Sequence, residues 1–437
     1  MSNFFSSPEI IRYLRSEARR GRLVTGLVTA NLIAFAIYLM ATQSEDLGET
    51  LVTVLFMVQG VLLLVYGTVR TTASVLAERT ERTWDFQRLT PLSSWELTWG
   101  KLIGAPVFPY FLLLSLVPWV VLGVSLSAAV GWGELLVSYL KLLGIGFAVL
   151  SLGLLFSAYH DRDSRTHATT AGGAILGFFG FQYLTMLDGT SPMISFYGWQ
   201  ISLELFAPAS AAAFGLWFLA GAKWRIGEDL QEPDYFWRFP AFLLFTYLYL
   251  LGLIQEPAWN GGHYVLLLGL PLIAVYGAAL GSPFGPHELR RWSLCQSVPD
   301  KLNQSPSWAK GLAALFGLAL LSFFLGSPSE PASSWFLILL PAFAARDLAF
   351  VQWCKLGQLR RPEVVAVVYL TLAYALPSLV LVSFEVENGF FLFAPVPQAD
   401  TTLFLTVLPG LGQAAVMTFL LRARIRKLVE PALEGPR

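Results

Sequence analysis

The chain has 437 residues, of which 55% are hydrophobic and only 13% are charged, and its mean hydropathy is +0.59. About a quarter of the residues of an average soluble domain are charged, so this composition excludes an ordinary soluble protein. The formal net charge is zero, which removes any general electrostatic case for nucleic acid as a partner.

The first 22 residues predict an amphipathic helix that lies on the membrane surface. The triplet Ser7-Pro8-Glu9 is typical of a helix start, with proline in the first turn and an acid beside it. Apolar residues then share one side and basic residues the other: Ile10, Ile11 and Leu14 against Arg12, Arg15, Arg19 and Arg22. Such a helix belongs in the headgroup layer, so membrane lipid is an expected partner.

Apolar runs of the length that crosses a bilayer recur along the rest of the chain. They predict an all-α, polytopic helical bundle of about twelve spans. The first six are 23–42, 50–70, 102–124, 135–157, 168–187 and 201–221, and the second six are 239–255, 263–281, 309–326, 334–353, 363–384 and 401–421.

The distribution of charge orients these spans. Every Lys and Arg of the 29 except Lys141 falls on the side that holds both ends of the chain, and the opposite side carries acids alone. The positive-inside rule therefore places the N and C termini in the cytoplasm.

The longest polar segment of the first half, residues 73–101, predicts a cytoplasmic helical hairpin. Good helix formers continue until Pro91, which disfavours helical geometry at Thr90 and should end the first helix there. Ser93 and Glu96 have the spacing of a capping box that starts the second helix. The charged side chains are expected to be exposed: Glu78, Arg79, Glu81, Arg82, Asp85 and Arg88.

The hairpin resembles the cytoplasmic loop of the permease subunits of type-two ABC exporters. The matching residues are Glu78-Arg79, Thr83, Asp85, Leu89, Thr90-Pro91, Ser93, Glu96 and Gly100-Lys101. Arg82 stands where the family has glycine. The resemblance covers about thirty residues.

The resemblance implies a transmembrane permease of the bacterial inner membrane that works with a separate nucleotide-binding ATPase subunit. ATP would bind to that partner, and helix 73–89 would act as the lever between the two proteins. The implied docking residues are Glu78, Arg79, Arg82, Thr83, Trp84, Asp85, Phe86, Pro91, Gly100 and Lys101, with Trp84 and Phe86 as anchors. One chain completes the pathway, or two permease chains pair to form it.

The chain carries no phosphate-binding loop of its own. Gly100-Lys101 is preceded by Trp95 at the position of the first loop glycine and followed by Leu102 in place of Ser or Thr. We therefore expect no ATPase activity, and no catalytic residue, bound cofactor or metal site is predicted. The four histidines show no convincing metal-ligand spacing.

Two other functions remain open on the sequence. A secondary carrier would need buried ion-binding groups, and few ionisable residues lie within the spans. The clearest are Lys141 and Glu204, and Arg346 and Asp347 are adjacent in the tenth span. A membrane enzyme or scaffold of envelope biogenesis would need a polar cluster at one interface beyond the hairpin.

The chain divides into two halves of six spans, 23–227 and 228–437, joined near Gly227–Arg238. Each half has its longest cytoplasmic loop after its second span, which predicts a degenerate duplication. The loop of the second half, 282–308, lacks the motif of 73–101.

Overall fold

The computed structural model describes residues 7–17, 19–159, 166–186, 192–256, 258–282, 284–328, 334–357, 359–384, 392–395 and 403–433. Residues 1–6 of the predicted surface helix lie outside this part of the chain. The chain forms two compact units, one of Met1–Ile194 with Gln200–Pro233 and the other of Ser195–Trp199 with Asp234–Arg437.

The first unit is helical. Its elements are α1 (Pro8–Glu17), α2 (Arg20–Ala41), α3 (Leu47–Gly60), α4 (Thr68–Thr80), α5 (Trp84–Gln87), α6 (Ser94–Gly104), α7 (Val107–Leu126), α8 (Trp132–Tyr159), α9 (Thr166–Met186) and α10 (Leu203–Asp229). A π-helical segment, Val61–Gly67, joins α3 to α4 without a break. The short strands β1 (Met193–Phe196) and β2 (Trp199–Ser202) precede α10.

The second unit is helical as well. Its helices are α11 (Arg238–Leu251), α12 (Gly261–Gly281), α13 (Pro286–Ser293), α14 (Val298–Asn303), α15 (Ser307–Leu325), α16 (Phe336–Lys355), α17 (Pro362–Ser383) and α18 (Leu403–Leu433). The strands β3 (Ala258–Trp259) and β4 (Ser327–Pro328) pair in parallel. Within each unit the fourth predicted span packs on the sixth, as α8 on α10 and α16 on α18.

Ten helices within the described residues are long and apolar enough to cross a membrane. The predicted spans at 168–187 and 239–255 are not among them. The helix at the first, α9, begins with side chains that lie outside the described residues, and α11 has only 14 residues. The chain is thus an all-α protein of the multi-pass membrane class, and the total of twelve spans stays a prediction.

The second span is much longer than a bilayer requires. The continuous helix Leu47–Thr80 has 34 residues, which at 1.5 Å per residue is about 50 Å, against a hydrocarbon core of about 30 Å. Its last third, α4, is called the stalk below. This stalk carries the hairpin.

A buried lysine, Lys355, caps the C-terminal end of α12 in the second unit. The Nζ of Lys355 donates hydrogen bonds to the carbonyl oxygens of Ala279, Leu280 and Ser282 at 2.8, 2.9 and 2.6 Å. The last carbonyls of a helix have no partner within the helix. The lysine supplies that partner at the end of α12.

Candidate functional site

The hairpin has the predicted order of helix, turn and helix, but its first helix ends nine residues early. It stops at Thr80, and the short helix α5 follows instead of a continuous helix 73–89. The break falls at Arg82, whose φ of +60° is in the left-handed region that favours glycine. Arg82 thus adopts a backbone conformation typical of glycine, the residue at this position in the family that the hairpin resembles. The prediction of one continuous helix over 73–89 is wrong.

The second helix of the hairpin begins as the sequence predicts. The Ser93 hydroxyl accepts a hydrogen bond from the Glu96 backbone N–H at 3.3 Å, and the Glu96 carboxylate accepts one from the Ser93 N–H at 3.0 Å. This reciprocal capping box satisfies two backbone donors at the start of α6. Pro91 lies exposed in the connection just before it.

Three buried charged side chains and the partly exposed Arg12 form a charge cluster beneath the hairpin. The Nζ of Lys101 donates to Glu9 at 3.0 Å and also to Glu78. The guanidinium of Arg12 donates to Glu9 at 2.8 Å and to Glu78 as well. Two cations and two carboxylates balance, so the cluster is neutral although Lys101 is fully buried. It joins α1, the stalk α4 and α6.

Helix α1 packs closely on α6 because α6 has glycines on the face that contacts α1. A Cβ on Gly100 would meet the Cγ of Glu9 at 2.5 Å, and one on Gly104 would meet the Cδ2 of Tyr13 at 2.7 Å. Two glycines one turn apart allow the helices to approach closely. The absence of a side chain at Gly100 therefore allows Glu9 of α1 to pack against α6.

The pKa of Lys101 reflects its partners. Burial alone would lower this pKa, but the surrounding Tyr13, Glu78 and Glu9 outweigh burial and raise the pKa of Lys101 to about 12. The ammonium form is therefore stabilised inside the protein, and Lys101 acts as a fixed positive charge.

Trp84 is buried against the same cluster. Its ring lies 5.4 Å from the Nζ of Lys101 and 5.6 Å from the guanidinium carbon of Arg79, which are distances typical of cation–π contacts. Arg79 in turn donates to Asp229 at 2.5 Å, at the end of α10. The indole and the two cations thus fasten the turn to the stalk.

The end of α10 also holds the second half of the hairpin. The Nε of Arg88 donates to the Asp229 carbonyl at 2.8 Å, and the Ser94 hydroxyl donates to the Glu232 carboxylate at 2.7 Å. Burial alone would raise the pKa of Glu232, but the hydrogen bonds from Ser94 and the charge of Lys223 hold it below its ordinary value. The carboxylate is therefore ionised when it binds Ser94.

Two apolar side chains at the tip of the hairpin are left uncovered. Phe86 is 73% exposed and Leu89 is 84% exposed. The side chains of Arg82 and Asp85 are also exposed beside them, whereas Thr83 is half-buried and donates to the Glu78 carbonyl at 3.3 Å. Phe86, Leu89, Arg82 and Asp85 are called the tip surface below.

The structure divides the residues that the resemblance assigned to docking. Arg82, Asp85, Phe86 and Pro91 are exposed. The expectation that Glu78 and Arg79 are exposed is wrong, because each is 6% exposed and holds a buried ion pair. Trp84, Gly100 and Lys101 are buried too. Trp84 packs against the charge cluster, Gly100 leaves room for α1, and Lys101 is the centre of the cluster.

Three partners of the hairpin were missed in the sequence: Glu9, Asp229 and Glu232. Asp229 and Glu232 were attributed to a polar linker, and Glu9 to the start of a surface helix. The local sequence gives one indication of such a partner: Glu9 lies three residues before Arg12, so the two can pair on one side of the helix. The partners of Lys101 are 92 and 23 residues away, beyond any local pattern.

The charged residues within the spans are paired locally. Lys141 lies 3.5 Å from Glu204. The Nε of Arg346 donates to Asp347 at 2.7 Å, and the hydroxyls of Tyr276 and Tyr374 donate to the same carboxylate at 2.5 and 2.6 Å.

No family model, curated protein or solved structure matches this chain.

Proposed function

We propose that the chain is the permease subunit of an ABC transporter, of the exporter type, in the bacterial inner membrane. A separate ATPase subunit docks on the hairpin 73–101 and binds the ATP. The observation that carries the proposal is an exposed apolar tip, Phe86 and Leu89, on a base that buried charges hold rigid.

The contacts of the hairpin explain how movement of a partner would reach the membrane. The stalk α4 is continuous with the second span, and α6 is joined to α7, the third span, by the two-residue turn Ala105–Pro106. The Lys101–Glu78 ion pair ties these two arms together. In this proposal a force on the tip surface reaches the second span through the stalk and the third span through α6 and that turn.

In this proposal the hairpin residues have two roles, according to their burial. The tip surface contacts the ATPase, with Phe86 and Leu89 as apolar anchors and Arg82 and Asp85 as polar contacts. Glu78, Arg79, Trp84 and Lys101 position that surface from below. Buried aromatic anchors dominate interface energies, whereas exposed ion pairs contribute little.

The test replaces both anchors with alanine in the full-length chain, co-expressed with a candidate nucleotide-binding ATPase subunit. Burying a large apolar side chain stabilises a complex by about 1.5–3 kcal/mol, so Phe86→Ala with Leu89→Ala weakens binding by roughly two orders of magnitude or more. The ATPase should then fail to co-purify. The matched control is Met193→Ala, an exposed apolar residue on the predicted opposite side. Full recovery of a working complex with the double variant contradicts the proposal.

A secondary carrier is the second candidate, and Asp347 is the observation in its favour. A buried carboxylate within a span is a candidate ion site. Its three donors, however, hold it as part of a fixed ion pair with Arg346. Substrate movement driven by an ion gradient without ATP, and lost in Asp347→Asn, would support the carrier instead.

A further inference from the structure

An apolar groove runs along the outer face of the first unit. It has a volume of about 470 Å³ and lies among α2, α3 and α7. It is lined by small residues of α2, Gly26 and Thr29 among them, and by larger apolar residues, including Ile33, Phe108 and Leu112.

The groove begins at the membrane surface and ends within one leaflet. Arg22 and Ile33 line its two ends and are eleven residues apart on α2, which is about 16 Å along a helix. That length is about half of the 30 Å hydrocarbon core. A single acyl chain of one leaflet occupies the same depth.

Arg22 lines one end of the groove, and further arginines precede it in the sequence. The guanidinium of Arg22 stacks over the ring of Phe108 at 4.4 Å, and its Nη2 donates to the Tyr66 hydroxyl at 3.3 Å. Arg19 and Arg20 are exposed beside it. Glu17 pairs with Arg22 and with Arg70, so this carboxylate neutralises one positive charge of the four arginines.

We propose that this groove holds one acyl chain of an anionic phospholipid, with the lipid phosphate at Arg22, Arg19 and Arg20. Basic pockets between spans on the cytoplasmic side favour anionic headgroups, and the apolar walls bury the chain. The site is independent of the proposed transport function.

A second copy of the chain is the rival occupant. In a symmetric pair the same patch faces itself, so the arginines of one copy would lie against those of the other. Like charges brought together in this way are destabilising. The lipid carries the opposite charge and fits a narrow groove.

The test reconstitutes the full chain in nanodiscs of phosphatidylglycerol or phosphatidylcholine and counts retained lipids by native mass spectrometry. We expect one retained phosphatidylglycerol and a preference over phosphatidylcholine. Each basic residue near the surface contributes about 1 kcal/mol to anionic lipid binding, so Arg22→Gln should lower that preference about fivefold. Arg291→Gln removes an exposed charge from the second unit and is the matched control.

A second variant fills the groove without changing charge. Thr29→Phe should abolish retention of the acyl chain, whereas Val28→Phe, on an exposed part of α2 outside the groove, should leave it unchanged. Equal retention of the two lipids, or retention that Thr29→Phe does not alter, overturns the proposal. A dimer mass that disappears with Thr29→Phe would instead assign the groove to a second copy.

Discussion

Removing the charge of Lys101 tests whether the cluster beneath the hairpin holds the hairpin in place. Lys101→Met keeps the length and apolar stem of the side chain and deletes only the ammonium group. Glu9 and Glu78 then share Arg12 as their cation within the cluster. The cluster changes from neutral to a net negative charge inside the protein.

The size of the effect follows from burial. Lys101 is fully buried, and the side chains of Glu9 and Glu78 are only 3% and 8% exposed. Removing one partner of a buried ion pair costs about 3–5 kcal/mol. Here the cost arises because one excess negative charge stays out of water, with Arg12 as the one cation that the two carboxylates share. Lys101→Met should therefore lower the free energy of unfolding of the first unit by that amount. Glu78→Gln added to it restores neutrality, so the double variant should lose less than the sum of the single changes.

The assay is thermal unfolding of the purified chain in one detergent, with the single and double variants compared as a cycle. Lys223→Met is the matched control, because Lys223 pairs with Glu232 at 3.4 Å while both side chains remain partly exposed. Such a pair contributes about 0–1 kcal/mol. If Lys101→Met costs no more than Lys223→Met, or if the two changes add exactly as independent sites do, the cluster does not hold the hairpin.

Two further predictions concern the backbone and the pH response of the same region. Arg82→Gly should stabilise the chain by about 1 kcal/mol, because the left-handed backbone of Arg82 strains any residue with a Cβ. Glu81→Gly is the control: Glu81 has an ordinary φ of −78°, so glycine there should destabilise the chain. Melting temperatures that move the other way refute this account. The pKa of Lys101 is raised from 10.5 to about 12, so its contribution is complete below pH 10.5 and is lost as the pH rises towards 12. The melting temperature of the natural chain should therefore fall more steeply across that window than that of Lys101→Met, and parallel curves would argue against a buried ammonium.

Local patterns identified the start of α6 because a capping box is written in neighbouring residues. Ser93, Glu96 and the apolar run after them suffice to specify it. The end of α4 was predicted nine residues too late for a related reason. Good helix formers continue past Thr80, and the break at Arg82 has no local marker such as glycine.

The sequence pattern was a poor guide to which charged side chains of the hairpin are exposed. Charged residues in a loop are usually solvated, and Arg82 and Asp85 follow that rule. Glu78 and Arg79 do not, because each has a partner of opposite charge on a helix far away in the sequence. Periodicity reports which side of a helix a residue occupies, but it does not report which other helix covers that side.

The sequence by itself determined that this is a helical membrane protein with a capped polar hairpin between two spans, because hydropathy and helix caps depend on residues within a turn or a span of one another. Only the tertiary structure decided which hairpin residues are buried supports and which form the exposed tip. That division depends on Glu9 and Asp229 reaching Lys101 and Arg79 from distant helices, and burial of a charge is decided by such long-range pairing.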